Sequence, residues 1–523
     1  MGELWRHRDF VRLWGGETVE WVSGSITSLA VPTIAILIFN AGPLEMGLLN
    51  ALGNVGYPVL GLFAGVMVDR WRRRPVLIWT NIVQVAALGS IPAAFFLGML
   101  SLYQLFIVTL VMSVTIVFFN VAYTAYLPTL IAREDLVEGN SKLETSSSAA
   151  AVVGPPIAGG LIQSVGAAPS IALDALGTLL AAIAILSIKK PEPPPSPPAK
   201  PRFWSEIKDG VRVVTETPTL RNLAASTSIL NIGNSMFFAV FYLFIYDQLK
   251  MSPLVAGITL GIGGVGVVVG AVTAPKLLKS IGLGSALTAA LVINGLGLLA
   301  VRASMYGPAV AILAPIWLIA NIGIPIYNIN QVSFRQILVA DRLQGRMNAT
   351  MRTFSYGAVT LGALIGGIIG AQYGILTTMT AGGLIATLAA LMIRLGPVGM
   401  LHDMPLNVDM AESRLDALNP PEKKEERTEV AAPQVSMKSS EKEAGGVGGG
   451  GFLSRLRTRL EFARRGILSK PQGYASCRRC GLQIVRATRF CQSCGADFGK
   501  VVCSCGRELG SGNRFCDRCG RKV

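Results

Sequence analysis

The residues best equipped for chemistry in this chain are eight cysteines, all after position 476: Cys477-x-x-Cys480-Gly, Cys491-x-x-Cys494-Gly, Cys503-x-Cys505-Gly and Cys516-x-x-Cys519-Gly. Paired thiolates on a tight turn closed by glycine supply the soft donor set of a tetrahedral four-cysteine zinc site. Positions 480, 491 and 494 recur 25 residues later at 505, 516 and 519, and Arg-Phe-Cys stands at both 489–491 and 514–516. The tail is therefore expected to hold two zinc ions. Sequential pairing puts Cys477, Cys480, Cys491 and Cys494 in one site and Cys503, Cys505, Cys516 and Cys519 in the other; an interleaved arrangement fits the spacing too. Disulfides are the alternative, disfavoured if the tail lies in a reducing cytoplasm.

A second chemistry is suggested by carboxyls within apolar stretches, where ionisable groups are costly and mark function by default. Glu17 and Glu20 lie about one helical turn apart, nearly on one face. Burial and a neighbouring carboxylate both make a carboxyl hold its proton to higher pH, which suits a group that exchanges protons near neutrality. A place at the membrane interface, beside Arg8 and Arg12, is the plainer reading. Asp174 is a third candidate, near enough to a span end for simple solvation to explain it, and Asp247 reads as a loop residue. Asn54, Asn120, Tyr123, Asn231 and Asn234 are expected to line a cavity, although interhelical hydrogen bonds account for any one of them. Phe237, Phe238, Phe241 and Tyr242 read as packing or lipid-facing groups.

These residues need a scaffold, and composition says which kind. Of 523 residues, 51% are hydrophobic and only 15% charged, and mean hydropathy is +0.50. A soluble protein of this length needs a more charged surface. Apolar blocks that approach the roughly 20 residues needed to span a bilayer fall at 15–39, 45–68, 76–98, 102–127, 146–166, 168–188, 223–249, 254–274, 284–303, 308–330, 353–372 and 374–396. They predict an all-α membrane protein of twelve spans. Trp5, Arg6, His7 and Arg8 lead into the first block without a small-residue cleavage site. With the N-terminus inside, cytoplasmic segments carry 23 of the 25 basic residues before position 400, and external loops carry only Lys250 and Arg302. Both termini are then cytoplasmic, in a multi-pass protein of the cell membrane. The net charge of +16 follows from loops facing an anionic leaflet and calls for no nucleic-acid partner.

Two breaks divide the chain. The proline-rich KKPEPPPSPPAKPR at 189–202 separates a six-helix bundle at 1–190 from a second at 223–397, with 191–222 as linker and interbundle segment. A polar tether is expected at 398–451, then a basic amphipathic helix at 452–470 and the cysteine-rich domain at 471–523. The halves echo each other. YTAYLPTLIAREDLVEGNSKLETSSSAAAVVGPPIAGGLI in the first half matches YNINQVSFRQILVADRLQGRMNATMRTFSYGAVTLGALIGGIIG in the second, each ending in a Gly-rich helix with a Gly-Gly pair.

After the second block comes Gly65-x-x-x-Asp69-Arg70-x-x-Arg73-Arg74. It resembles the loop signature of the major facilitator superfamily, with Arg72 where that family usually has glycine. The resemblance implies two rocking six-helix bundles. For Gly65, Asp69, Arg70, Arg73 and Arg74 it implies a conformational latch, a carboxylate paired with guanidiniums and with a helix N-terminus across the bundles. An ordinary positive-inside loop is the bland alternative, and the matching stretch from Gly270 carries no acid. Gly154-Pro155-Pro156-x-x-Gly159-Gly160 resembles the antiporter signature of drug exporters, and implies a hinge in the fifth helix; a Gly-rich packing face is the alternative.

WRHRDFVRLWGGE and FWSEIKDGVRVVTETPTLRNL are similar to the branch containing macrolide-efflux and enterobactin-export proteins, a likeness covering roughly 1–396. It implies proton-coupled export of amphipathic or hydrophobic small molecules. A lysophospholipid flippase is the alternative within transport, and a transport-dead receptor displaying an adaptor is the alternative outside it. The tail resembles the double zinc ribbon family, which implies a cytoplasmic protein partner. No catalytic triad, GK[ST] loop or nucleotide fingerprint is present, so neither an enzyme nor an ATP-driven pump is expected. The partners are then a small-molecule substrate, protons and the lipid bilayer.

Overall fold

The computed structural model describes residues 4–192, 203–339 and 341–401, and the strand residues 474–476, 483–485, 501–502 and 508–509. The chain forms two units, Met1–Glu425 and Glu426–Val523. The first unit is built of helices: α1 (Arg8–Leu37), α2 (Pro43–Asn54), α3 (Gly56–Arg70), α4 (Arg73–Phe96), α5 (Leu102–Leu130), α6 (Leu136–Val165), α7 (Ala167–Leu186), α8 (Phe203–Glu216), α9 (Pro218–Leu243), α10 (Pro253–Ile281), α11 (Leu283–Ala300), α12 (Ala309–Leu338), α13 (Asp341–Tyr373) and α14 (Ile375–Leu395).

Eleven of these are long and apolar enough to cross a membrane. The block expected at 45–68 is not one helix but two, α2 and α3, meeting at Val55. The physical reason lies at Gly56. Its N–H leaves the helical ladder and donates to Ser113 Oγ of α5 at 2.9 Å, and a Cβ there would collide with the Ser113 backbone. Val55 keeps helical dihedrals, φ −67° and ψ −21°, so the ladder is interrupted while the chain runs on.

Packing repeats with the echo in the sequence. In the first set of helices α1 packs on α6 and α7, and α4 on α5 and α7; in the second, α9 packs on α13 and α14, and α11 on α12 and α14. Gly166 joins α6 to α7 at φ 95°, and Gly374 joins α13 to α14 at φ 86°, at matching places in the repeat. A single residue caps both helices there, in a conformation that only glycine adopts without strain. The aromatic group of α9 serves as packing: Phe241 stacks on Trp317 of α12 at 4.6 Å, and Phe237 and Phe241 are fully buried.

Three expected boundaries move. Helices α6 and α13 start well before the apolar blocks at 146 and 353, because hydropathy marks the lipid-facing stretch while the helix continues as polar, amphipathic turns beyond it. The interbundle segment contains α8, which docks on α9 and α13. Asp209 pairs with Arg346 at 3.0 Å, and Val213 and Val214 are buried. The tether is expected from 398, but residues 397–401 are packed. Val398 is buried and Gly284 N of α11 donates to Leu401 O at 2.9 Å, so residues 397–401 belong to the packed unit.

In the second unit Tyr474–Ser476 pairs antiparallel with Gln483–Val485, and Val501–Val502 with Glu508–Leu509. The expected amphipathic helix at 452–470 and all eight cysteines lie outside the described residues.

Candidate functional site

Helix α1 reaches α7 closely because small residues meet. A Cβ on Gly16 would come within 3.0 Å of Ala184 Cβ, and one on Gly177 would strike Ser23. That approach brings Ser23 Oγ to Asp174 Oδ1, to which it donates at 2.8 Å in a buried bond. Asp174 is only 3% exposed, so solvation does not explain it. One and two turns earlier on α1 stand Glu20 and Glu17. Glu17 is 2% exposed, and Glu17 Oε1 and Glu20 Oε2 are shut from solvent without hydrogen-bond partners. Arg12, one of the two arginines that could have met these carboxyls, pairs with Asp9 at 2.7 Å instead.

Glu17, Glu20 and Asp174 form a cluster. Glu17, Glu20 and Ser23 follow one another at three-residue intervals on α1, and Ser23 joins them to Asp174 of α7. Tyr123 OH has no hydrogen-bond partner. None of the three carboxyls is in an ion pair among the described residues, and no group of three described His, Cys, Asp or Glu could hold a metal ion. A buried carboxyl without a cation can relieve its charge by binding a proton, so proton exchange is the chemistry the arrangement offers.

The other cavity candidates divide. Asn120 Nδ2 donates to Tyr57 OH at 2.8 Å, and the Tyr57 ring stacks on Tyr356 of α13 at 4.1 Å, a contact between the two sets. Asn54 bonds to Asn50 O on its own helix at 2.9 Å, and Asn231 bonds to Ser355 Oγ at 2.6 Å. These two serve packing. Asn234 Oδ1 is buried without a partner.

The residues read as a hinge form a seam between the sets. A proline at 155 frees the carbonyl of residue 151, and one at 156 frees that of residue 152. Glycines of α10 come to those groups: a Cβ on Gly264 would lie 2.5 Å from Ala151 O, and one on Gly261 2.7 Å from Val152 O. Gly257 approaches Pro155 O, Gly159 approaches Pro253 O, and Gly154 meets Ser25 of α1. Gly160 makes only ordinary contact with Leu254. Sequence reasoning misses the α10 glycines, although Gly257-x-x-x-Gly261-x-Gly263-Gly264 is legible as a close-approach face. Further contacts join the sets beyond the seam, at the end where Leu37 and Val165 lie: Thr33 Oγ1 to Tyr246 OH at 2.8 Å, and Gly47 against Gly367.

At the opposite end, Arg73 and Arg74 are held inside the first set. Glu192 accepts from Arg73 N at 2.7 Å and Arg74 N at 3.1 Å, so a carboxylate caps the positive N-terminus of α4. Arg74 donates to Leu186 O at 2.7 Å, at the negative C-terminus of α7. Asp9 accepts from Lys189 N and Lys190 N. This collar carries no sequence signal, since Glu192 sits in a proline-rich stretch. Arg72 adopts φ −68° and ψ 129°, so the turn needs no glycine there. Arg70 is exposed, Gly65 has open space where a Cβ would be, and the side chain of Asp69 lies outside the described residues.

A profile of the Major Facilitator Superfamily matches residues 13–358. Macrolide efflux protein A of Streptococcus pyogenes is 26% identical over 254 residues, which are 48% of this chain and 62% of that protein's length. The enterobactin exporter EntS of Escherichia coli O1:K1 / APEC is 22% identical over 394 residues, 72% of this chain and 89% of that protein. Among solved structures, a bacterial homologue of the iron transporter ferroportin in an inward-facing state matches with TM-score 0.59 at 18% identity, covering 74% of this chain and 99% of that one. The nucleoside transporter NupG matches with TM-score 0.59 at 12% identity, covering 74% and 97%.

Proposed function

This chain belongs to the Major Facilitator Superfamily, a family of membrane transporters and not of enzymes, and on that premise we propose that it exports amphipathic or hydrophobic small molecules in exchange for protons. The observation that carries the reading is the set of Glu17, Glu20 and Asp174, of which Glu17 and Asp174 are buried and none is in an ion pair among the described residues. The efflux relatives support the direction of transport.

In this reading α2 and α3 in series make the twelfth span, and both termini are cytoplasmic. The contacts at the Leu37 end close the external side, so substrate enters from the cytoplasm. The seam of Pro155 and Pro156 on Gly261 and Gly264 holds that state, and transport requires it to part. Asp69 with Arg70 latches the opposite state.

Reconstituted protein tests this. A substrate found by screening a host stripped of its own exporters is loaded into proteoliposomes with a pH-sensitive dye. Substrate addition should move protons, and Glu17→Gln or Glu20→Gln should stop proton-driven export while leaving downhill exchange. Export without proton movement defeats the coupling; no movement of any substrate defeats transport and leaves the receptor reading. Competition between lysophospholipids and drugs then separates flippase from exporter.

For the tail we propose two zinc sites of four cysteines each. The sequence pattern carries this proposal: Cys477 and Cys480 stand between the paired strand residues Ser476 and Gln483 in the sequence, and Cys503 and Cys505 between Val502 and Glu508. Bound zinc would supply folding free energy to a domain too small for a core of its own, and the tail would recruit a cytoplasmic protein. Elemental analysis under reducing conditions should give about two zinc per chain; a substantially lower content refutes the pair of sites.

A further inference from the structure

The turn from α3 to α4 holds arginines of two kinds. Arg73 and Arg74 are engaged inside the first set: Arg73 pairs with Glu192 at 3.6 Å, and Arg74 donates to Ile185 O and Leu186 O. Arg70 and Arg72 are exposed, and neither makes an ion pair or hydrogen bond with a described residue. Both line one cleft of about 600 Å³, a size that suits a small ligand.

The cleft follows from the packing. Helices α3 and α4 each pack on α5 but not along one another, so the space between them stays open. Phe118 of α5 lines its floor, Val76 and Trp79 of α4 one wall, and Arg70, Trp71 and Arg72 the rim. Trp71 is 45% exposed and Trp79 66%, a large apolar area to leave uncovered. Thr80 also lines the wall, but its hydroxyl is satisfied by Val76 O and Leu77 O, both at 2.9 Å. The wall therefore offers apolar contact, and the charge is confined to the rim.

Helix α4 is long and apolar enough to span a membrane and starts at Arg73. That start places the rim at the membrane–water boundary, where tryptophan is favoured. A ligand that fits carries negative charge at the boundary and an apolar chain below it. A soluble anion would leave the wall uncovered. An anionic phospholipid satisfies both parts, since its phosphate oxygens match the planar guanidinium fork and basic pockets between spanning helices hold such headgroups.

We propose that the cleft between α3 and α4 binds an anionic phospholipid of the surrounding leaflet. Arg70 and Arg72 hold its phosphate, and an acyl chain lies over Val76, Trp79 and Phe118. The site needs only a chain that lies in a bilayer and does not depend on what is transported.

The test is native mass spectrometry of the full-length protein, delipidated in detergent and titrated with phosphatidylglycerol or phosphatidylcholine of identical chains. Wild type should bind the first phosphatidylglycerol about tenfold more tightly, the scale expected of two arginines near an anionic headgroup. Arg72→Gln should remove most of that preference and Arg72→Lys should keep part of it. The double variant Arg70→Gln, Arg72→Gln should remove it all. Deleting two exposed charges of α10 instead, with Lys276→Gln and Lys279→Gln, should leave it intact. Trp79→Ala should weaken both lipids alike. Equal affinity for the two lipids in wild type overturns the site. So does a preference that survives in the arginine double variant, or one that falls as far in the lysine pair, which would make it a property of overall charge. Millimolar glycerol 3-phosphate separates the sources: unchanged lipid binding identifies the phospholipid, and displacement identifies a soluble anion and overturns the assignment. Binding is read without transport, so failure of export in proteoliposomes would sink the transport reading and leave this site standing.

Discussion

The two helical sets pack by one scheme and carry opposite charge. In the first, α1 carries Glu17 and Glu20 and meets Asp174 of α7 through Ser23, with no carboxyl of the three in an ion pair among the described residues. In the second, α12 carries Arg335 and α13 carries Arg352, with neither paired to a described acid. Equivalent helices make equivalent contacts, α1 on α7 like α9 on α14. Packing is fixed by small residues and apolar faces, which a duplication preserves. The few polar positions are free to diverge, and they leave carboxyls without ion pairs among the described residues in one half and basic residues in the other.

The most severe break in that comparison is the double variant Glu17→Gln, Glu20→Gln. Proton-driven export should fall to background while downhill exchange survives, measured as counterflow in proteoliposomes. Counterflow lost together with coupling would show that the carboxyls bind cargo.

Next in size is the seam. Gly261→Val places a side chain where Val152 O and the Pro156 ring already sit. It should cost about 1–3 kcal/mol by overpacking and lower the thermal midpoint in detergent. Gly65→Ala, which meets nothing within 4 Å, should leave that midpoint unchanged. Similar shifts in both would mean the seam does not hold this state.

A smaller effect is expected from Glu192→Gln. The collar loses a charge at the α4 N-terminus and its pairing with Arg73 at 3.6 Å, worth about 1 kcal/mol. The midpoint should become less sensitive to salt than in wild type, and an unaltered salt dependence would remove the collar from the account. Smallest is Ser23→Ala, which deletes the bond to Asp174. It should change export little at neutral pH and shift its pH profile by less than the glutamate variants do. A shift as large as theirs would make Asp174 the principal proton carrier.

Much of this was legible beforehand. Runs of apolar residues are a local property, so eleven of the twelve expected spans appear as helices long and apolar enough to cross a membrane, and the echo of the two halves is legible too, whereas the matched glycines at 166 and 374 emerge from the backbone. The motif at 65–74 and the profile match at 13–358 agree on the family. Glu17 and Glu20 stood out because a charge inside an apolar run is costly, although a place at the membrane interface explained them as well.

What the sequence by itself determined, then, is the class of protein, the family and the helices, because hydrophobic periodicity and motif spacing act within a few turns of chain. Tertiary structure alone decided which distant residues meet. Ser23 finds Asp174 across 151 positions, Glu192 reaches Arg73 across 119, and Gly56 breaks the second span because Ser113 captures its N–H. Arg335, one more cytoplasmic charge in the sequence, has its Nε shut from solvent without a partner only in the packed chain. Burial and partnership are properties of the packed chain, and no local pattern encodes which carboxylate or guanidinium will be left without a countercharge.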